Sequence, residues 1–296
     1  MDNARDPGMV FPVMMATNRL CVALVVIALA VASETTSAQS ALGSERADIG
    51  NVAGDIWAVW TSPAHMRRRD VVTTAATLGA AALTSRIDSV GYIWMQTHER
   101  TFVMRLLAPI REGFPYSPYE FGSGQYLLPA SVALYTAGRL SRSVNLRDAG
   151  LGCAAGHLSS LVLRQAVFRS VKRGRPRVSP SPFNISVPGS SEWSWESFYS
   201  GHLSNSMACA SFLGHRYSLG LAEPLPYAFS LAIGLGRLAD GHHWASDMVV
   251  GGVVGFAVGK AIAERQLRRT DAPVVAGAQT QRAPLQIPVV QWSVVF

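Results

Sequence analysis

Residues 237–247 carry the residue types of a nucleophilic site. The segment reads Arg-x5-His-x3-Asp, and its Arg237, His243 and Asp247 precede an apolar stretch with helical spacing. Because residues i and i+4 share a helix face, we expect the Asp247 carboxylate to reach one imidazole nitrogen of His243. Such a contact fixes the tautomer and leaves the other nitrogen as a nucleophile. Metal binding by His242, His243 and Asp247 is the competing interpretation, which the sequence disfavours because adjacent histidines in a loop seldom point the same way.

A second histidine, His202, follows a serine and a glycine at the start of another helical stretch. In this position the Ser200 hydroxyl and the backbone N–H groups from Gly201 onwards face an anion at the helix amino terminus. His202 is then expected to lie beside that anion. A first-turn histidine can also be a simple polar cap, so this segment alone does not decide between the two.

A third segment is basic and ends a predicted helix before a proline-rich loop. Its cations are Arg169, Lys172, Arg173, Arg175 and Arg177. Arginine offers a planar fork to phosphate oxygens, so a bound phosphate is one interpretation. A solvated helix end, whose cations complement the helix dipole, is the other. The run lacks the interleaved aromatic residues of a nucleic-acid surface, and no nucleic-acid partner is predicted.

In this order and at these separations, the three segments resemble the type-2 phosphatidic acid phosphatase family, which includes bacterial class A acid phosphatases and vanadium-dependent haloperoxidases. The family pattern is Lys-x6-Arg-Pro, then Pro-Ser-Gly-His, then Ser-Arg-x5-His-x3-Asp. The matching positions are Arg175-Pro176, Ser200–His202 and Arg237–Asp247. The resemblance covers roughly residues 146–264.

Three positions depart from the family pattern. Phe168 stands at the place of the lysine, Tyr199 at the place of the second motif's proline, and Gly236 at the place of the serine before the arginine. We expect Arg169 or Lys172 to replace the missing lysine charge, or a shifted register to bring Arg177 into use.

The resemblance implies metal-independent hydrolysis of phosphomonoesters, or of lipid phosphates and pyrophosphates, through a phosphohistidine. His243 is then the nucleophile, Asp247 orients it, and His202 is the acid and base. The phosphate-binding groups that it implies are Arg175, Arg237, Ser200, Gly201 and one of Lys172 or Arg169. No metal or other cofactor is expected. The alternatives are a haloperoxidase that holds vanadate in the same pocket and a catalytically silent membrane relative.

Composition and helical spacing predict the elements that must position these residues. The chain is 49% hydrophobic and 15% charged, which excludes a disordered tail protein. Charge-free stretches rich in glycine and alanine at 71–85, 149–163 and 248–259 predict an all-α, compact helical bundle of the family's type. A polytopic membrane protein stays open, because such helices also pack well inside a bilayer. The terminal LQIPVVQWSVVF predicts a short extended segment at the C-terminus.

The sequence predicts four parts. Residues 1–38 have the pattern of a signal peptide, since the apolar run Leu20–Ser33 has 14 residues and a bilayer span needs about 20. We expect residues 39–120 to form helices and a loop that pack on the core. Residues 121–265 form the predicted phosphatase core, and 266–296 form a tail.

The same features predict where the protein works. A signal peptide implies export to the periplasm or another extracytoplasmic space, and an uncleaved anchor in the inner membrane is the alternative. Membrane association is compatible with the net charge of +7, which suits anionic substrates and anionic headgroups alike. Cys153 and Cys209 lie on apolar helical stretches, where buried free thiols are more usual than a disulfide. The sequence does not indicate an oligomeric state.

Overall fold

The computed structural model describes residues 45–102, 104–105, 108, 118–179, 181–186 and 195–270. The predicted signal peptide and the predicted extended C-terminal segment lie outside these residues. The helices are α1 Glu45–Thr61, α2 Arg68–Thr84, α3 Asp88–Thr97, α4 Gly124–Ser141, α5 Val144–Ser170, α6 Gly201–Arg216, α7 Pro224–Ala239 and α8 Ala245–Thr270. The predicted all-α fold class is confirmed.

Short elements fill the connections between the helices. Single 3₁₀ turns occur at Ser62–His65, Pro118–Gly122 and Gly220–Ala222. The loop after α5 contains two antiparallel strands of two residues each, β1 Lys172–Arg173 and β2 Ile185–Ser186. The sequence predicted this loop as irregular, because runs of two residues carry no detectable period.

The centre of the bundle is the packing of α6 against α8. Glycines on α8 face the α6 backbone, and a methyl group at Gly259 would lie 2.1 Å from the Ala208 carbonyl oxygen. A methyl group at Gly255 would lie 2.4 Å from the Ser204 carbonyl oxygen. The small residues noted in the sequence therefore serve close helix packing, which brings the amino-terminal ends of α6 and α8 together.

Helix α8 is the one helix among the described residues that is long and apolar enough to cross a membrane by length and composition. Within its most apolar window, 44% of the residues are buried in the bundle. The core helix of a soluble protein passes the same test, so this helix is weak evidence for a membrane span.

Cys153 of α5 and Cys209 of α6 form a disulfide, whereas the sequence favoured buried free thiols and left the pairing open. The two Cα atoms are 4.4 Å apart and 56 residues separate them in sequence. Close packing explains the pairing, since a methyl group at Gly156 would lie 3.3 Å from the Ala208 side chain at the same helix contact. This proximity is a property of the packed helices, which the sequence spacing does not reveal.

Helix α1 packs on the core through buried carboxylates. Asp48 accepts hydrogen bonds from Arg147 of α5, including one from Nε at 3.1 Å. Asp55 accepts hydrogen bonds of 2.7 Å from Arg265 and Arg269 of α8. The limits of the four predicted parts stay predictions.

Candidate active site

His243 lies in the turn between α7 and α8 and is almost fully buried. Gly241 adopts φ +65° in this turn, a conformation that favours glycine. Trp244 anchors the other side, because its Nε1 donates to the Gly174 carbonyl oxygen at 2.8 Å. The His243 side chain is therefore held by a fixed backbone rather than by a free loop.

The nearest partner of His243 is a backbone carbonyl. Its Nδ1 lies 2.6 Å from the Ser197 oxygen, and since a carbonyl can only accept, Nδ1 carries the hydrogen. The lone pair then lies on Nε2. Asp247 Oδ2 is 3.9 Å from Nδ1, beyond hydrogen-bond reach, so the expected direct contact is not formed. The reason is local, since α8 begins at Ala245 and His243 precedes the first helical turn.

Asp247 acts on His243 through Ser197. Its fully buried carboxylate accepts from the Ser197 hydroxyl at 2.6 Å and from the Trp244 backbone N–H at 2.9 Å. Burial raises the pKa of Asp247, and the charge of Arg173 together with these hydrogen bonds opposes that rise. Asp247 therefore fixes Ser197, whose carbonyl oxygen fixes His243.

Arg173 joins this carboxylate to a second one from the N-terminal helices. Its Nη1 donates to Asp247 Oδ1 at 2.5 Å, and its Nη2 donates to Asp88 Oδ2 at 2.8 Å. Asp88 also accepts from the Ser246 backbone N–H at 3.0 Å. All three charged side chains are at most 8% exposed. Sequence reasoning missed Asp88, which belongs to no motif, and named Arg173 without a role.

Three arginines surround His243 with positive charge. Burial, followed by the charges of Arg237, Arg175 and Arg164, holds the pKa of His243 well below its ordinary value. Arg175 and Arg237 are buried, and burial, followed by the charges of Arg237 and Arg164, lowers the pKa of Arg175 to about 9. These are the features of a pocket built for an anion.

Arg164 is the cation that the sequence did not identify. It packs against the start of α6, where a methyl group at Gly201 would lie 2.4 Å from its Cδ and Nε. The Arg164 Nε atom is buried and has no hydrogen-bond partner among the described residues. Phe168, at the place of the family lysine, stacks under the Arg164 guanidinium at 3.7 Å. Arg164 thus places a positive charge one helical turn earlier on the same face of α5.

The two cations expected to replace that lysine lie elsewhere. Arg169 is exposed at the end of α5. Lys172 is buried in β1, and its Nζ lies 3.9 Å from Glu196 Oε1. Arg177, the third candidate, is exposed and lies 3.2 Å from His242 Nε2 through its Nη2. A cation four residues before Phe168, on the same face of α5, is the sequence signal that would have identified Arg164.

Ser200, Gly201 and His202 lie at the amino terminus of α6, as predicted. Ser200 is the N-cap residue, and its buried hydroxyl has no hydrogen-bond partner within the part of the chain that the structure describes. Its backbone N–H donates to the Asp247 carbonyl oxygen at 3.3 Å, which joins the two motifs. The hydroxyl and the first N–H groups of α6 are therefore available to an anion.

His202 contacts a carboxylate that the sequence did not predict. Its Nε2 donates to Glu120 Oε2 at 3.2 Å, and Arg237 Nη1 donates to Glu120 Oε1 at 3.1 Å. Burial lowers the pKa of His202 to about 4, against the opposing hydrogen bond to Glu120. His202 is thus neutral at neutral pH.

His242 lies beside the pocket, between two arginines. Its Nδ1 is 3.0 Å from Arg175 Nη1, and burial, followed by the charge of Arg237, lowers its pKa to about 2. Across the described ranges, no group of three His, Cys, Asp or Glu side chains is arranged to hold a metal ion. Independence from metals stays a prediction.

Comparison with protein families gives one match, and it spans this site. A family model described as the PAP2 superfamily matches residues 149–271, a range that contains all three motifs. Over these residues the match confirms the family resemblance predicted from the motifs. The match supports the prediction that the protein is a phosphatase-type hydrolase.

Comparisons with curated proteins and with solved structures give one distant structural likeness. No curated protein matches the chain. One solved structure, described as the first transmembrane PAP2 type phosphatidylglycerolphosphate phosphatase from Bacillus subtilis, is 15% identical with a TM-score of 0.45. That alignment covers 74% of this chain and 95% of the other.

The buried network around Arg173 predicts a large stability effect. Replacing Arg173→Met leaves two buried carboxylates, Asp88 and Asp247, without their shared counter-charge. We expect this change to lower the free energy of unfolding by about 3 to 5 kcal/mol, measured by urea denaturation at pH 7. Part of the loss should be recovered as the pH is lowered, since burial raises the pKa of Asp247 and protonation of this carboxylate removes one uncompensated charge.

The matched control is Arg268→Met, which removes an exposed arginine that lies 3.8 Å from Glu264. Exposed ion pairs contribute about 1 kcal/mol or less to the free energy of unfolding. Equal losses in the two variants would contradict the role given to Arg173.

Proposed function

We propose that the protein is a metal-independent phosphatase in which His243 Nε2 attacks phosphorus. The observation that carries this proposal is the hydrogen bond from His243 Nδ1 to the Ser197 carbonyl oxygen, which leaves the lone pair on Nε2. Three arginines around this ring supply the charge that a phosphate needs. A neutral imidazole with a fixed tautomer inside a cationic pocket is suited to nucleophilic attack on a phosphate.

In the first step the Nε2–P bond forms as the bond from phosphorus to the leaving oxygen breaks. Arg164, Arg175 and Arg237, with the Ser200 hydroxyl and the Gly201 N–H, hold the equatorial oxygens, on which charge is spread in the transition state. Arg164 takes the part for which Arg169 or Lys172 was expected. Asp247 and Arg173 act indirectly, because they hold Ser197 and hence the nucleophile in place.

His202 donates the proton to the leaving oxygen. In the second step it takes a proton from a water whose oxygen bonds to phosphorus as the Nε2–P bond breaks, which releases inorganic phosphate and restores His243. Since the pKa of His202 is lowered to about 4 in the empty pocket, the ring must gain its second proton when the phosphate binds. A phosphomonoester, with a second pKa of about 6, can bring that proton. The negative charge of the bound phosphate then stabilises the imidazolium.

The direct test is hydrolysis of p-nitrophenyl phosphate by purified protein in excess chelator. We expect wild-type turnover to persist in chelator and the His243→Ala variant to lose more than about 10³-fold in kcat. His215→Ala is the matched control, because His215 lies at the opposite end of α6 from His202. A His243→Ala variant with wild-type kcat would exclude the nucleophile assigned here.

We further propose that the protein is exported, with residues 1–38 as its signal peptide. The apolar run in that segment supports this proposal, and so does the Cys153–Cys209 disulfide. Disulfides persist in oxidising compartments such as the periplasm and are rare in the cytosol.

Mass spectrometry of the protein recovered from a bacterial host tests export. We expect a periplasmic chain that begins at Gln39 and whose cysteines react with an alkylating agent only after reduction. A full-length chain in the membrane fraction would favour the uncleaved anchor. A full-length chain in the cytosol with free thiols would contradict export.

We propose phosphomonoesters and lipid phosphates or pyrophosphates as the substrate class. Large apolar side chains are exposed on the N-terminal helices, including Trp57 on α1, Leu83 on α2 and Val90 on α3. Exposed apolar side chains on these helices, together with the exposed arginines 67–69 at the start of α2, suit the surface of an anionic bilayer, which supports a lipid substrate. Comparing kcat/KM for phosphatidic acid in mixed micelles with that for p-nitrophenyl phosphate decides between the two.

A further inference from the structure

Glu120 is a carboxylate inside the anion pocket that the proposed mechanism does not use. It lies on the 3₁₀ turn Pro118–Gly122, and its two oxygens bridge His202 Nε2 at 3.2 Å and Arg237 Nη1 at 3.1 Å. In the proposed mechanism His202 protonates the leaving oxygen, and Arg237 holds a phosphoryl oxygen. Glu120 therefore occupies part of the space in which the substrate's phosphate must bind.

The backbone of this turn is fixed, whereas the side chain is open to solvent. A methyl group at Gly122 would lie 2.6 Å from the His202 carbonyl oxygen, and Asn205 Nδ2 donates to the Gly122 carbonyl oxygen at 3.3 Å. The Glu120 side chain keeps 34% of its surface exposed. Its carboxylate can thus leave the pocket by rotation of the side chain, with no movement of the turn.

The charges favour this position only while the pocket is empty. Without a phosphate, Glu120 supplies negative charge beside Arg237. The hydrogen bond with His202 and the charge of Arg237 lower the pKa of Glu120, against the opposing effect of burial, so the group is ionised at neutral pH. A bound phosphate supplies the same negative charge and repels the carboxylate.

We propose that Glu120 is a competing anion, which fills the phosphate pocket in the resting protein and is displaced when a phosphate binds. This inference rests on the proposed function, since it needs the same pocket. The competition weakens the binding of substrate and of product phosphate alike. Its benefit is faster release of the inorganic phosphate that hydrolysis leaves in the pocket.

Titration calorimetry with inorganic phosphate tests the proposal, because binding of the product needs no turnover. Glu120→Gln keeps the shape of the side chain and removes its charge. We expect this variant to bind phosphate about tenfold more tightly than wild type at pH 7, and phosphate to inhibit it at correspondingly lower concentration. Glu120→Asp, too short to bridge both partners, should also bind phosphate more tightly.

Glu196→Gln is the control for a general change of charge. The charge of Glu196 acts on Arg164 and Arg175 of the pocket, and its Oε1 lies 3.9 Å from Lys172 Nζ, outside the pocket. We expect the phosphate affinity of the Glu196→Gln variant to differ from that of wild type by less than about twofold. An equal gain in the Glu196 and Glu120 variants would overturn the proposal.

A second result would also overturn it. If Glu120 instead keeps the proton on His202, Glu120→Gln should bind phosphate no more tightly and lose kcat. If neither the wild type nor the variant binds phosphate, the protein has no phosphate pocket and this inference is wrong. Chelator-resistant hydrolysis that depends on His243, measured on the same preparation, shows whether the proposed function survives such a failure.

Discussion

The site depends on one buried arginine between two carboxylates. Arg173 pairs with Asp247, at the start of α8, and with Asp88, at the start of α3. Two carboxylates buried this close need a cation between them, because an uncompensated buried charge is strongly unfavourable. This guanidinium therefore links the backbone of β1, the amino terminus of α8 and the start of α3, and the hydrogen bond from Ser246 to Asp88 adds to the link between the two helices.

This constraint reaches the nucleophile through hydrogen bonds rather than by direct contact. Asp247, held by Arg173, holds the Ser197 hydroxyl, and the Ser197 carbonyl oxygen holds His243. A backbone carbonyl orients an imidazole as well as a carboxylate does, and it adds no full negative charge next to the phosphate. The pocket around the ring can thus stay strongly cationic, which suits a dianionic substrate.

The sequence predicted the helical bundle and the three motifs, because helical periodicity and short spacings are local properties. Ser200, Gly201, His202, Arg237 and His243 are brought together around the pocket as the motifs indicate. Three other contributions came from packing. Arg164 reaches the pocket because α5 crosses the start of α6, and Glu120 reaches it from a turn outside every motif.

The third contribution is that of Asp88, which accepts a hydrogen bond from Ser246, 158 positions later in the chain. No local sequence pattern encodes such a contact. The disulfide is similar, since two isolated cysteines pair only because glycine and alanine let α5 and α6 approach. The sequence also predicted a direct contact between His243 and Asp247. That prediction failed because the helix begins two residues too late for the i, i+4 rule to apply.

The central claim is that His243 forms a covalent bond to phosphorus. Rapid quenching of wild-type protein during turnover of p-nitrophenyl phosphate, followed by peptide mass spectrometry under alkaline conditions, tests it most directly. The account predicts one phosphoryl group on the peptide that contains His243, stable in alkali and lost in acid. A phosphoryl group on His202, or full turnover with no phosphorylated histidine at any time point, would contradict it.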